Sequence, residues 1–157
     1  LGGRSIGGGA PSIVDSGTTF TYLPPAPYAK LKDHWLNHCP WASRESCAAR
    51  KVVGPLHDDY CYKMSPSDLD GFDTMTITLA GPYSLAVSPR QYGYLMRDGV
   101  YCLGVFDNAR NSVVIGGATM RGHEVQDPRC VLMHATHSRT EIASSHLIIM
   151  PSHLVIR

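Results

Sequence analysis

The residues of this chain best suited to chemistry lie in one short segment, residues 13–19 (IVDSGTT). Two β-branched residues precede Asp15, which suits a buried strand that fixes the position of the carboxylate. Gly17 lets the backbone approach closely and offer an N–H group to the acid. The hydroxyls of Ser16 and Thr18 can hydrogen-bond nearby backbone or the Asp15 oxygens. The segment therefore predicts a carboxylate held in one plane, as a catalytic base requires.

An Asp-Ser-Gly triplet also has a purely structural interpretation. Such triplets are common in surface turns, because Asp and Ser cap the local backbone and Gly adopts positive φ. Two features favour chemistry over a plain turn. The triplet directly follows an apolar β run, and the hydroxyl series continues through residues 20–25 (FTYLPP).

The same segment resembles a known active-site signature. Residues 15–19 (DSGTT) are similar to the second of the two signatures of the pepsin-like aspartic peptidases, the one carried by the C-terminal lobe. The continuation at residues 20–24 is typical of the plant and algal branch. Further similar segments follow in the family's order: Cys61-Tyr62 with Ser65, residues 101–106, residues 113–117 and residues 120–126. The resemblance covers about residues 6–126.

The resemblance implies a fold class and a domain organisation. We expect a mostly β fold, a single lobe of a pepsin-like aspartic protease shaped as a half-barrel, with one or two short helices. Residues 11–126 would form this lobe, residues 1–10 a flexible lead-in and residues 127–157 a divergent tail. The length of 157 residues suits one domain with its own core.

Local patterns agree with a mostly β chain. Apolar and polar residues alternate over residues 75–79 and again over 83–87, which predicts a hairpin. A second hairpin is predicted around the Arg97-Asp98-Gly99 turn, and an apolar strand over residues 112–117. Residues 39–59 contain prolines, glycine and charges and are predicted to form a loop.

One helix is predicted after the prolines of residues 24–27, because proline suits the first turn of a helix. Tyr28, Leu31 and Trp35 recur there at helical spacing. His34 and His38 share this spacing, as zinc ligands can, but no third ligand lies at a convincing position. We therefore interpret them as surface histidines and expect no metal.

Five cysteines favour an oxidising compartment over the cytosol. Metal binding is the alternative, but no Cys-x-x-Cys spacing occurs, so disulfides are favoured. Cys39 and Cys47 are close enough to close a short loop. The family resemblance pairs Cys61 with Cys102. Cys130 is then the one cysteine to which the sequence assigns no disulfide partner. We expect the secretory pathway, with a vacuolar or extracellular destination.

Composition excludes several other classes of protein. A formal net charge of +1, without a cluster of basic residues and aromatics, does not support nucleic-acid binding. No apolar run reaches the roughly 18 residues of a membrane-spanning helix. The start at Leu1, without methionine or leader, suggests a chain internal to a longer product. No organic cofactor is implied.

Hydrolysis of a peptide by aspartates requires two carboxylates that share one proton, one acting as base and the other as acid. Asp15 would supply one of them. The family pattern implies that the Gly17 N–H group and the Thr18 hydroxyl orient it, and that the Ser16 hydroxyl bonds across to the other lobe. No other Asp of the chain is followed by Ser/Thr-Gly. The sequence therefore predicts half of the active site of an aspartic endopeptidase.

Three routes reconcile half a site with function. The preferred one is a two-lobed enzyme whose N-terminal lobe supplies the second carboxylate to a peptide or protein substrate. A second copy of the chain could instead supply it, as in retroviral proteases. The chain could also be a non-catalytic β module that binds peptides or acts as an inhibitor. A serine or cysteine hydrolase is disfavoured, because Ser16 lies in Asp-Ser-Gly-Thr and not in the Gly-x-Ser-x-Gly of a nucleophile elbow, and no cysteine has an evident activating histidine.

The pattern changes after Gln126. The family would continue with a strand carrying an aspartate and then a Gly-Phe pair, and neither follows here. A His134-x-x-His137 pair occurs in this region without acidic or cysteine partners at ligand spacing. A shifted reading frame, a retained intron or an unusual tail would explain the change.

Overall fold

The computed structural model describes residues 4–41, 43–53, 60–79, 84–123 and 148–156. Strands dominate these residues, and the helices between them are short. In chain order the elements are β1 (Arg4–Val14), β2 (Thr21–Leu23), α1 (Pro25–Asn37), α2 (Arg44–Ala49), β3 (Lys51–Val53), β4 (Tyr60–Lys63), α3 (Pro66–Leu69), β5 (Met75–Leu79), β6 (Ser84–Val87), α4 (Pro89–Tyr92), β7 (Gly93–Arg97), β8 (Val100–Leu103), β9 (Val105–Asp107), β10 (Val113–Ile115), α5 (Gly117–Met120) and β11 (Ile148–Ile156).

Two sheets organise the described residues. The larger has the strand order β6-β5-β11-β1-β10-β2-β9, and the smaller has the order β3-β4-β8-β7. Strand β1 runs parallel to β10, with Val14 opposite Ile115, and β10 runs antiparallel to β2. The chain therefore leaves β1 at Asp15 beside the end of β10. Both hairpins predicted from the sequence are present, as β5–β6 and β7–β8.

Helix α1 closes the core on one side. Leu31 and Trp35 face inward and are 2% and 1% exposed, as their spacing predicts. The Trp35 ring stacks on Phe72, with 4.2 Å between ring centroids. Its indole N–H donates to the Tyr60 carbonyl at 3.1 Å. Each fully buried side chain of this size contributes roughly 1.5–3 kcal/mol, so the helix is held by packing on the sheets.

A buried tyrosine ties the smaller sheet to the same helix. The Tyr62 hydroxyl donates to the Trp35 carbonyl at 3.3 Å. Burial raises the pKa of Tyr62 to about 12, because the phenolate would be poorly solvated. Tyr62 therefore stays a neutral donor throughout the ordinary pH range.

The mostly β fold class is confirmed, but three local expectations differ from the structure. Residues 4–10, predicted to be part of a flexible lead-in, belong to strand β1 and pair with β11. The predicted loop over residues 39–59 contains α2 and β3, with α2 capped by the Ser43 hydroxyl. Residues 148–156, expected to be part of a divergent tail, form strand β11 between β1 and β5. The domain boundaries themselves stay a prediction.

Both predicted cysteine pairings are present, Cys39 with Cys47 and Cys61 with Cys102. Cys61 and Cys102 lie opposite each other on β4 and β8 and are buried. Cys130, His134 and His137 lie outside the described residues. Within the described part of the chain, no helix has the length and apolar character needed to cross a membrane.

The two disulfides are expected to differ in their contribution to stability. They join cysteines 41 and 8 positions apart, and loop-closure entropy gives about 4 and about 2.5 kcal/mol, respectively. Replacing Cys61 and Cys102 by alanine should therefore lower the free energy of unfolding more than replacing Cys39 and Cys47. Urea unfolding of the two double variants measures this difference. An equal or reversed order would contradict the assignment of the longer loop as the main cross-link.

Candidate active site

The loop that follows β1, residues 15–20, is called the Asp15 loop below. The Asp15 amide donates to the Ile115 carbonyl at 3.0 Å, which extends the pairing of β1 with β10 by one residue. The Thr18 amide donates to the Asp15 carbonyl at 3.3 Å and turns the chain back on itself. The neighbouring strands thus set the position at which the Asp15 side chain emerges.

Two donors hold the carboxylate of Asp15. The Gly17 amide donates to Oδ1 at 2.9 Å, and the Thr18 hydroxyl donates to Oδ2 at 2.6 Å. Both oxygens are therefore bonded within the loop, and the plane of the carboxylate is fixed. These are the two contacts that the sequence predicts for Gly17 and Thr18. The Ser16 side chain is exposed on the same loop, and its predicted bond to another lobe stays a prediction.

These hydrogen bonds lower the pKa of Asp15. The Thr18 hydroxyl is the largest cause and the Gly17 amide the next, while partial desolvation acts in the opposite direction. Hydrogen bonds to the ionised form favour that form. Since the pKa is lowered in the fold, the contacts stabilise the folded chain above the ordinary aspartate pKa of about 3.9. That stabilisation is lost as the pH falls through the folded-state value.

The paired glycines that follow β10 support the loop from behind. A Cβ atom on Gly116 would lie 2.1 Å from the Phe20 carbonyl oxygen and 2.8 Å from that of Thr18. Only glycine allows this approach of two backbones. Next to it, the Gly117 amide donates to the Thr18 carbonyl at 2.7 Å. The Ala118 amide donates to the Thr19 carbonyl at 2.9 Å.

A buried pair of hydroxyls completes the support and was missed by sequence reasoning. The oxygens of Thr21 and Thr119 lie 2.7 Å apart, and both residues are at most 1% exposed. The Gly116 amide donates to the Thr21 oxygen at 3.2 Å. The hydroxyl series that runs from Thr18 through Thr21 was the available signal. Nothing in the local pattern pairs Thr21 with a residue 98 positions later.

Among the described residues, no second carboxylate shifts the pKa of Asp15. Its pKa is shifted by hydrogen bonds and partial desolvation alone, without a charged neighbour among its causes. The geometry on this lobe therefore provides one oriented carboxylate, ionised at neutral pH. General acid–base chemistry at a peptide bond would need a proton-bearing partner beside it.

A model of one protein family, described as "Xylanase inhibitor C-terminal", matches residues 5–126. The chain belongs to this family. It is a family of C-terminal domains of pepsin-like aspartic peptidases, so the resemblance seen in the sequence is confirmed, including its plant type. No curated protein matches the chain.

The two histidines considered as zinc ligands, His34 and His38, make other contacts. His34 on α1 bonds Asp73 at 2.9 Å, and its ring stacks on that of His38 at 4.4 Å. Within the described ranges, no group of three or more His, Cys, Asp or Glu side chains is placed to hold a metal ion.

Replacing Gly116 by alanine should destabilise the fold far more than the same change at Gly117. The added Cβ at residue 116 would force the Asp15 loop away from β10, at a cost of about 3 kcal/mol. At residue 117 the nearest atom would be 3.7 Å away, so we expect a change within about 1 kcal/mol. Urea unfolding of the two variants gives the comparison. Equal losses would show that the close approach to Phe20 is not a constraint.

Replacing Thr18 by valine should raise the pKa of Asp15 towards about 3.9, because the largest cause of its lowering is removed. The acid-dependent part of the stability that Asp15 provides should shrink accordingly. A Thr18→Ser variant keeps the hydroxyl and should keep the lowered pKa. Carbon-13 NMR titration of the Asp15 carboxyl group measures both. An unchanged pKa in the valine variant would remove the hydroxyl as the cause.

Proposed function

We propose that this lobe supplies one of the two carboxylates of an aspartic endopeptidase. The proposal is carried by one observation: both oxygens of Asp15 are held by donors of its own loop, at 2.9 and 2.6 Å. The contact from the Gly17 amide alone is common in surface turns, whereas here the Thr18 hydroxyl holds the second oxygen as well. Membership of a pepsin-like family gives the arrangement a matching chemistry.

The mechanism needs a second carboxylate opposite Asp15, with a water molecule between the two. Two carboxyl groups separated by only one water molecule cannot both be ionised, so the pair holds one proton and titrates as a unit. The ionised member takes a proton from the water, which attacks the peptide carbonyl carbon. The protonated member gives its proton to the carbonyl oxygen. Thr18 and Gly17 keep the Asp15 oxygens in the plane that this exchange requires.

The second carboxylate would come from an N-terminal lobe, since a C-terminal lobe of the pepsin-like family implies such a partner. A second copy of this chain is the alternative source. The substrate would be a peptide or protein. Two disulfides favour the secretory pathway, with a vacuolar or extracellular destination.

Replacing Asp15 by asparagine should abolish peptide hydrolysis by the protein assembled with its N-terminal lobe. We expect kcat to fall at least about 1,000-fold, because asparagine can neither share nor transfer the proton. Cleavage of quenched fluorescent peptides between pH 3 and 6, with and without pepstatin, measures the loss. Asp98→Asn is the matched control, since Asp98 is exposed on the β7–β8 turn. Full activity in the Asp15 variant would overturn the proposal.

The same assay on this chain alone distinguishes the source of the second carboxylate. A monomer should show no activity at any concentration. If two copies complete the site, activity should rise with the square of concentration where the monomer dominates, and a dimer should appear in sedimentation. Activity only with the N-terminal lobe supports the preferred route.

A second candidate function is favoured by the description of the matching family, "Xylanase inhibitor C-terminal". On this alternative the lobe binds a protein target and Asp15 has only a structural role. Inhibition of a xylanase by the protein, unchanged by Asp15→Asn, would support it. If the protein does not inhibit a xylanase and Asp15→Asn abolishes hydrolysis, the peptidase proposal is supported and the inhibitor alternative is rejected.

A further inference from the structure

A cavity of about 370 Å³ adjoins the Asp15 loop and has no role in the chemistry above. Phe20, the last residue of that loop, forms part of its wall. Leu69, Tyr94 and Tyr101 add further apolar surface. The volume is at the low end for small-molecule sites, so the cavity suits one or two side chains and not a long segment.

Two arginines also line this cavity, and their charges are compensated differently. Arg90 donates from Nε and from a terminal nitrogen to the two oxygens of Asp70, each at 2.6 Å. Its charge is therefore matched within the lobe. Arg121 is exposed and forms no ion pair with any carboxylate in the described part of the chain. Among the described residues, the cavity thus carries one positive charge, that of Arg121, which no carboxylate pairs.

The backbone next to this charge is held in place by Gln91. Its side-chain amide donates to the carbonyl oxygens of Arg121 and Thr119, the latter at 3.2 Å. Its own oxygen accepts from the amide and hydroxyl of Ser88, at 2.7 and 2.9 Å. Arg121 therefore projects from a segment fixed to helix α4. The same segment is bonded to the Asp15 loop through Ala118.

We propose that this cavity binds an acidic side chain of a bound peptide. The carboxylate would pair with the guanidinium of Arg121, whose planar fork matches carboxylate geometry. The aliphatic stem of a glutamate would pack against Phe20, Tyr94 and Tyr101. A side chain is favoured over a whole terminus because the cavity is small and its wall continues the Asp15 loop. The inference takes its ligand class from the proposed function but does not require catalysis.

The first test is a binding measurement that catalysis cannot influence. The probes are eight-residue fluorescent peptides with one common sequence and amidated C-termini. At each position in turn, one peptide carries Glu and its matched partner carries Gln. Fluorescence polarisation with the Asp15→Asn protein, which cannot cleave them, should show one position at which Glu binds about fivefold more tightly than Gln. The preference should decrease at high salt.

Arg121→Gln should remove that preference and leave the affinity for the Gln peptide unchanged. Arg97→Gln is the matched control, because Arg97 is exposed on β7 and does not line the cavity. Unfolding curves of both variants check that the fold is retained. Equal affinity for Glu and Gln at every position, or a preference that survives Arg121→Gln, would overturn the inference. Tighter binding only of a free-acid Gln peptide would assign the cavity to a chain terminus and would also overturn it.

A cleavage assay separates this inference from the proposed function. Asp15→Asn should abolish cleavage of Glu and Gln peptides alike. Arg121→Gln should lower kcat/KM for the Glu peptide to that of the Gln peptide. A Glu preference in binding without any cleavage removes the proposed function alone. Cleavage that depends on Asp15 without a Glu preference removes this inference alone.

Discussion

The close approach of Gly116 to the Phe20 carbonyl is the constraint on which the site depends. A side chain at residue 116 would occupy the space of that carbonyl, so the two backbones meet only because glycine is present. The amides of Gly117 and Ala118 then bond the carbonyls of Thr18 and Thr19. With its backbone held on one side by β10 and on the other by these bonds, the Asp15 loop has little freedom. The orientation of the carboxylate follows from the position of the backbone.

Hydroxyl groups make two kinds of hydrogen bond that stabilise this loop, one at the surface and one in the interior. Thr18 bonds the carboxylate at the surface, while Thr21 accepts from the Gly116 amide in the interior. Because a buried amide without a partner costs about 1–3 kcal/mol, the Thr21–Thr119 pair makes the glycine contact possible. The paired ends of strands β1 and β10 fix where the loop begins, and the hydroxyls fix how it is oriented.

Local patterns predicted local structure, and distant pairings were accessible only through family resemblance. The spacing of Leu31 and Trp35 gave α1, and alternation gave the β5–β6 hairpin. The parallel pairing of β1 with β10 joins residues about 100 positions apart, and no periodicity encodes it. Helices α3 and α4 could have been predicted from the sequence, because each begins with a capping box. The boxes start at Ser65 and Ser88, and a proline follows each serine. Strand β11 was missed because Pro151 interrupts its apolar run, and bulges in β1 shift the register between them.

The Asp15 loop has six residues. The first, Asp15, carries the carboxylate, and the last, Phe20, lines the cavity. On the proposed function Asp15 acts on a peptide bond, and Phe20 forms part of the wall of a cavity that also contains Arg121, which no described carboxylate pairs. The donors to Asp15 and the wall of the cavity belong to this lobe, whereas the proposed mechanism takes its second carboxylate from another lobe or chain. Under the two proposals, binding and catalysis are separable: a lobe without a partner carboxylate would keep the proposed contacts with a peptide and lose only the chemistry. One scaffold can in this way serve both a peptidase and an inhibitor.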